Sequence, residues 1–182
     1  MRKFQLISCY LAAGIPLDEL AGSNTSVYTG NLGKDYHDTL SRDPEVLPPS
    51  FVTGNLTAMG ANRLSHFYDL RGPSMPIDTA CSSGLVSLHL AVQSIRSGES
   101  DASIVGAASV LLNPDMFVSL STVGFLGAGG RCYAWDARAE GYGRGEGVAT
   151  LILKSLDDAL RDGHHVYGVI KETGLNRKHP LS

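Results

Sequence analysis

Met75-Pro76-Ile77-Asp78-Thr79-Ala80-Cys81-Ser82-Ser83-Gly84-Leu85 is the stretch that decides the fold. Met75–Asp78 is a short apolar entry and reads as a strand. Thr79 to Gly84 is a run of small residues, fit for a tight turn. After it Leu85, Leu88, Val92 and Ile95 recur at spacings of three, four and three, which predicts one apolar face of a helix. Gly98 stands where a C-terminal cap belongs. Ala102–Ala108 (ASIVGAA) then reads as a buried strand. Strand, turn, helix, strand is the grammar of a βαβ unit and a parallel sheet. In that grammar Cys81 falls between a strand and a helix start, the layout of a nucleophile elbow, where only small neighbours tolerate the backbone. The helix dipole and unpaired amides there favour a thiolate, lower a thiol pKa by about one unit or more, and can hold a developing oxyanion. The competing reading is an inert buried thiol, since free cysteine is among the most buried residue types.

The flanks extend the pattern. Val27–Asn31 reads as a strand, and Asp35–Ser50, with Pro44, Pro48 and Pro49, as a surface loop or broken helix. Val52–Tyr68 reads as partly helical, with Leu56, Met59, Leu64 and Phe67 on one side and Gly60 weakening it. Gly72-Pro73 marks a turn. Leu111–Gly130 is expected to be irregular, with a loop at Gly124–Gly130. Val148–Lys154 is a strand, Ser155 caps a helix Leu156–Arg161 that Gly163 ends, and Val166–Lys171 is expected to be a further strand. Met1–Ala13 fits a poor signal peptide or the tail of an amphipathic helix. The sequons at Asn24 and Asn55 suit the first, but sequons arise by chance and the apolar stretch is short.

Composition narrows the function classes. The chain has 182 residues, 43% hydrophobic and 18% charged, so it can bury a core. A net charge of −3 argues against a nucleic-acid platform, and no run of 18 apolar residues argues against a membrane span. Three cysteines without framework spacing make neither a disulfide scaffold nor a zinc site. Gly141–Gly147 invites a nucleotide-loop reading, but from Gly141 the sixth position is Glu146, from Gly143 it is Val148, and the segment precedes a strand. A tight turn with Arg144 and Glu146 available for pairing is the reading kept. Cys132, beside Arg131 in a loop, reads as a spectator, and Cys9 receives no role. His89 reads as a satisfied structural histidine, and His164-His165, after a turn glycine, as solvated.

Asp78-Thr79-Ala80-Cys81-Ser82-Ser83-Gly84-Leu85 resembles the active-site segment of β-ketoacyl synthases, specifically the ketosynthase domains of multidomain polyketide synthases. Gly54-Asn55, Ala61-Asn62-Arg63-Leu64-Ser65 and Asp69-Leu70-Arg71-Gly72-Pro73-Ser74 precede the cysteine in family order. Gly124-Phe125-Leu126, Arg131-Cys132-Tyr133-Ala134-Trp135-Asp136 and Glu140-Gly141-Tyr142-Gly143-Arg144-Gly145-Glu146-Gly147 follow it. The resemblance covers residues 14–176 and leaves 1–13 and 177–182 unmatched. It implies an α/β thiolase-like fold of two similar halves, each round a mixed five-stranded sheet. The chain would supply mostly the N-terminal half, without the family's first strand and most of the C-terminal half.

The resemblance further implies that Cys81 accepts an acyl group from an acyl carrier protein as a thioester, with its own N–H as an oxyanion donor. A malonyl-type extender on carrier protein then loses carbon dioxide and attacks the thioester in a Claisen condensation. Phosphopantetheine belongs to the carrier protein, so no cofactor and no metal is expected in the domain itself. A homodimer is implied, with Met75–Asp78 at its interface, and a cytoplasmic location. The family's two histidines lie in His-Gly-Thr-Gly-Thr and Asn-x-Gly-His stretches, and neither stretch is present. None of His37, His66, His89, His164, His165 and His179 therefore inherits a catalytic role, and Gly127-Ala128-Gly129-Gly130 replaces a family Ser-Pro-Asp-Gly loop. A partial and severely impaired condensing enzyme is expected, prone to poor solubility or to dependence on a partner. The alternatives are a non-catalytic thiolase-like module for dimerisation or carrier-protein binding, and, more remotely, a cysteine hydrolase.

Overall fold

In the computed structural model of the chain, residues 12–176 are described. The reading of Met1–Ala13 falls outside them except for Ala12 and Ala13, and the tail 177–182 lies outside altogether. Two compact units share the chain. The first combines the stretches up to Leu32, Leu56–Ala108 and from Val148 on, and the second combines Gly33–Asn55 and Ser109–Gly147.

A four-stranded sheet organises the first unit, in the order β2-β1-β3-β4. The strands are β1 (Thr25–Leu32), β2 (Ser74–Ile77), β3 (Ala102–Ser109) and β4 (Gly147–Lys154). β1 and β2 run parallel, with Val27 opposite Ser74 and Gly30 opposite Ile77. The expected βαβ unit is present, and its crossover passes over an intervening strand, because β1 lies between β2 and β3. The described residues hold four strands where the resemblance implied five. β1 is buried from Thr25 through Gly30, as an internal strand covered on both faces must be.

Alternation along β1 assigns the layers. Val27 joins Leu20, Ala61, Leu64, Tyr68, Leu70 and Ile104 in one apolar cluster. Tyr28 joins Ala91 and Val105, with Leu88 and Leu90 alongside, in another. One face of the sheet is thus covered by a helix carrying Ala61 and Leu64, the other by the helix that follows the small-residue turn. Of the hydroxyls that β1 buries, Ser26 Oγ lies 2.8 Å from Ser103 Oγ and 3.0 Å from Ser100 Oγ, itself 2.9 Å from Ser94 Oγ, whereas Thr29 Oγ1 has no partner among the described residues. The paired hydroxyls avoid the desolvation cost of burial.

Four readings are corrected. Val52–Tyr68 is two helices, α2 (Phe51–Asn55) and α3 (Met59–Phe67), preceded by α1 (Asp35–Leu40). The break falls at Leu56–Ala58, whereas Gly60 sits within α3. The buried face of α3 is Ala61 and Leu64, while Leu56 and Phe67 are exposed. The helix after the turn, α4 (Ser83–Arg96), buries Ser83, Ser87, Ala91, Val92 and Ser94, and leaves Leu85 72% exposed. Small residues win because the helix lies too close to β1 for leucine: a Cβ on Gly30 would come within 2.6 Å of Ser83 and Gly84 backbone atoms. Within Leu111–Gly130, α5 (Asp115–Thr122) forms, started by Pro114 and by Asn113, whose Oδ1 accepts the Asp115 N–H at 3.0 Å. Val166–Lys171 forms no strand.

The last helix, α6 (Leu156–Arg161), is capped as expected, the Ser155 hydroxyl accepting the Asp158 N–H at 3.1 Å. Gly98 ends α4 at φ +75°, with its N–H and that of Glu99 returning to Ile95 and Ser94 carbonyls. The described part of the second unit contains α1, α2, α5 and the glycine-rich loop up to Gly147. Within it the Asp35 carboxylate is buried and accepts the Leu112 N–H at 3.1 Å. Among the described residues no helix is long and apolar enough to cross a membrane.

Candidate active site

Five residues between β2 and α4, with Ser83 at the helix start, build the candidate site. The chain leaves β2 at Ile77, turns through Asp78–Ser82 and enters α4 at Ser83. Ala80 carries the strain of the turn, with φ +53° in the left-handed region that side chains other than glycine avoid. Side-chain bonds hold it there. The Asp78 carboxylate accepts the Ala80 N–H at 3.1 Å. The Ser82 hydroxyl donates to the Thr79 carbonyl at 2.8 Å and lies 2.9 Å from Thr79 Oγ1. The Ser83 hydroxyl accepts the Thr79 N–H at 2.8 Å and donates to the Ala80 carbonyl at 2.7 Å. A backbone held by this many independent contacts keeps a strained conformation that a free chain abandons.

Cys81 sits at the apex of this turn, immediately before the N-cap Ser82, and is exposed. The strand–turn–helix placement expected for it therefore holds, and the thiol is not buried. A sulfur in this place reaches solvent beside the first turn of a 14-residue helix, whose leading N–H groups lack intrahelical acceptors.

No histidine hydrogen-bonds the Cys81 thiol among the described residues. His89 Nδ1 lies 2.9 Å from Thr173 Oγ1, as a satisfied structural histidine should. His37 pairs with Asp38 at 3.1 Å. His165 is exposed and meets the Tyr167 ring edge to face, whereas His164 is half-buried, with a buried Nδ1 that has no partner. Burial corrects the reading of His164 as solvated. Among the described residues no group of three or more His, Cys, Asp or Glu side chains is placed to hold a metal ion.

In the second unit Cys132 is exposed, and its sulfur accepts the Gly143 N–H at 3.2 Å. Glu146 accepts the Leu111 N–H at 2.7 Å, and the Arg144 guanidinium lies over the Phe117 ring at 5.5 Å. Both therefore serve the packing of this unit, through partners other than each other.

Comparison with known proteins settles the family. The family model for the N-terminal domain of β-ketoacyl synthases matches residues 9–159, most of the chain. The chain belongs to the β-ketoacyl synthase family. Among its ketosynthase relatives, the highly reducing polyketide synthase azaB of Aspergillus niger is 58% identical over 166 residues, which are 91% of this chain and 7% of azaB. The lovastatin diketide synthase lovF of Aspergillus terreus is 55% identical over 91% of this chain and 7% of its own length. The ketosynthase from module 6 of the bacillaene synthase of Bacillus subtilis overlays with a TM-score of 0.78 at 37% identity, over 87% of this chain and 27% of that one. An oxazolomycin ketosynthase domain from Streptomyces albus gives a TM-score of 0.81 at 30% identity, over 89% and 28%. The chain thus spans less than a tenth of the length of these synthases and little more than a quarter of the solved ketosynthase chains.

Proposed function

We propose that this ketosynthase chain carries the acyl-accepting half of a polyketide condensing reaction, with Cys81 as the nucleophile. The observation that carries the reading is the exposed sulfur at the apex of a strained turn that opens a long helix. The Cys81 thiolate attacks the carbonyl carbon of an acyl thioester borne on the phosphopantetheine of an acyl carrier protein. The carbonyl oxygen takes the negative charge, and the Cys81 N–H with the adjoining helix start stabilises it. The carbon–sulfur bond to pantetheine breaks, and the pantetheine thiolate leaves and takes up a proton. A thiolate is both a good nucleophile and a good leaving group, so the same sulfur serves loading and later release.

In the second half-reaction a malonyl-type extender loses carbon dioxide, its carbanion attacks the Cys81 thioester, and Cys81 departs as thiolate. That step needs positioned acid–base groups, whose loss costs roughly 10²–10⁴ in rate. The histidine stretches expected to supply them are not in the sequence. The step proposed for the residues of this chain is therefore the loading of an acyl group onto Cys81. The carrier protein is its partner, phosphopantetheine is the partner's group, the location is cytoplasmic, and residues 14–176 make up the ketosynthase portion. Dimerisation through β2 is the proposed assembly, supported by the place of β2 at an edge of the sheet.

Pantetheine release tests the proposal. Mixed with acyl-pantetheine thioester, the chain is expected to release one equivalent of thiol per chain in a burst and then stop, and Cys81→Ala is expected to release none. Continued turnover would instead identify a thioester hydrolase. Absence of release would identify a non-catalytic module.

A further inference from the structure

Ser83 and Gly30 have no part in the chemistry above, yet both bear on where Cys81 stands. Ser83 is 3% exposed, and its hydroxyl is fully engaged, accepting from Thr79 N–H at 2.8 Å and donating to the Ala80 carbonyl at 2.7 Å. These two bonds reach back over Cys81 from the first helical residue to the two residues before it. They close the turn and hold the left-handed Ala80. Ser83 is in turn fixed from below. A Cβ on Gly30 would lie 2.6 Å from Ser83 C and Gly84 N, so the first turn of α4 rests directly on the backbone of β1. Gly84 also lies so close to β3, the neighbouring strand of the same sheet, that a Cβ there would meet Ala107 Cβ at 3.0 Å. The start of α4 is thus seated closely on two neighbouring strands of the sheet.

Ser87, one turn further along the same buried stripe, provides the contrast. It is fully buried, but its hydroxyl makes no hydrogen bond among the described residues. Ser87 fills space where Ser83 ties the turn. Gly72 gives a second contrast: its Cβ would come within 2.6 Å of Thr25 backbone, as severe a clash as that at Gly30, but at the opposite end of β1. The two pairs separate damage to the fold from damage to the turn.

We infer that Ser83, seated on Gly30, is the positioning residue of Cys81: it holds the sulfur at the helix mouth in its reactive placement. The inference rests on the reading of Cys81 as nucleophile, and the test distinguishes the two. The 182-residue chain and its variants are treated with limiting iodoacetamide, and the alkylation rates of Cys81, Cys9 and Cys132 are mapped by peptide mass across about pH 6 to 9, the range over which thiols ionise. In the wild type Cys81 outpaces the other two. Ser83→Ala lowers the Cys81-to-Cys132 rate ratio roughly tenfold across that pH range, the order by which local environment changes thiol reactivity. Ser87→Ala leaves the ratio unchanged. Gly30→Ala reproduces Ser83→Ala, while Gly72→Ala lowers the melting temperature without moving the ratio. If Gly30→Ala does not fold, the Ser83 and Ser87 variants decide alone. A Cys81 that stays selective, with the same ratio in Ser83→Ala, overturns the role of Ser83 and leaves the nucleophile standing. Equal, slow alkylation of all three cysteines in the wild type overturns both.

Discussion

Replacing Ala80 by glycine asks whether the turn at Cys81 stores strain. Ala80 has φ +53°, and its methyl is exposed, so removing it sacrifices little packing. A left-handed L-residue costs about 1–2 kcal/mol, which glycine recovers. Against that, glycine adds unfolded-state entropy worth about 0.4–1 kcal/mol. The net expectation is a gain of about 0.5–1 kcal/mol, or about 1–4 °C in melting temperature for a chain of this size. Ala80→Val should move the other way, because a β-branched side chain tolerates positive φ least. Urea titration followed by far-UV circular dichroism measures both. The Ser83 and Asp78 bonds remain in Ala80→Gly, so its Cys81 alkylation rate should stay within about twofold of wild type if hydrogen bonds, rather than the methyl, hold the turn. A loss of more than about 1 kcal/mol in Ala80→Gly would refute the strain argument, since that exceeds the entropic cost glycine can add.

Three further outcomes are expected. In Gly143→Ala the new Cβ would clash with the Gly130 carbonyl oxygen; the second unit should lose about 2 kcal/mol or more, as overpacking does, read by urea denaturation, and Cys132 should alkylate faster as its bond from the Gly143 N–H fails. The Tyr68 hydroxyl is buried without a partner, and burial raises its pKa; Tyr68→Phe should stabilise by about 1 kcal/mol in the same assay, and a loss would show that the hydroxyl is satisfied in solution. Asp158 is held below the usual carboxylate range by the Ser155 hydroxyl and then Arg161, and Asp162 by Lys154 and then Arg161. Depressed carboxylates stabilise the fold above the unfolded pKa near 3.9, and that stability is lost as pH falls through their folded values. The melting temperature should accordingly be flat above about pH 5 and fall below about pH 4; Arg161→Gln, which removes a partner of both, should flatten that acid limb, and an unchanged limb would assign it to other groups.

The strand, turn and helix around Cys81 were legible because their signals are local: an apolar entry, a run of small residues and a helical period in one short stretch. The face of α4 was legible only in part. Periodicity favoured Leu85, Leu88, Val92 and Ile95; Val92 is buried and Leu88 packs beside Tyr28, but at the helix start the close approach to Gly30, far away in sequence, buries Ser83 and leaves Leu85 exposed. Asn113-Pro114 did announce α5, a polar acceptor followed by a helix-starting proline, but the surrounding glycines and serines hid it. Val166–Lys171 has the β-branched and aromatic residues of a strand, and strand formation still depends on a partner that no local pattern supplies. The nucleophile candidate was visible from its neighbours. The roles of Ser83 and Gly30 were not, because a buried serine and a strand glycine look ordinary until the distances between them are known.

Transfer of an acyl group to the chain, mapped by mass to a single atom, tests the central claim most directly. After exposure to an acyl-pantetheine thioester, intact mass should rise by one acyl group per chain, the peptide containing Cys81 should carry it, and hydroxylamine should remove it as a thioester. Acyl groups shared among Cys9, Cys81 and Cys132, or found on lysines and not on Cys81, would contradict a sulfur made ready at the mouth of α4.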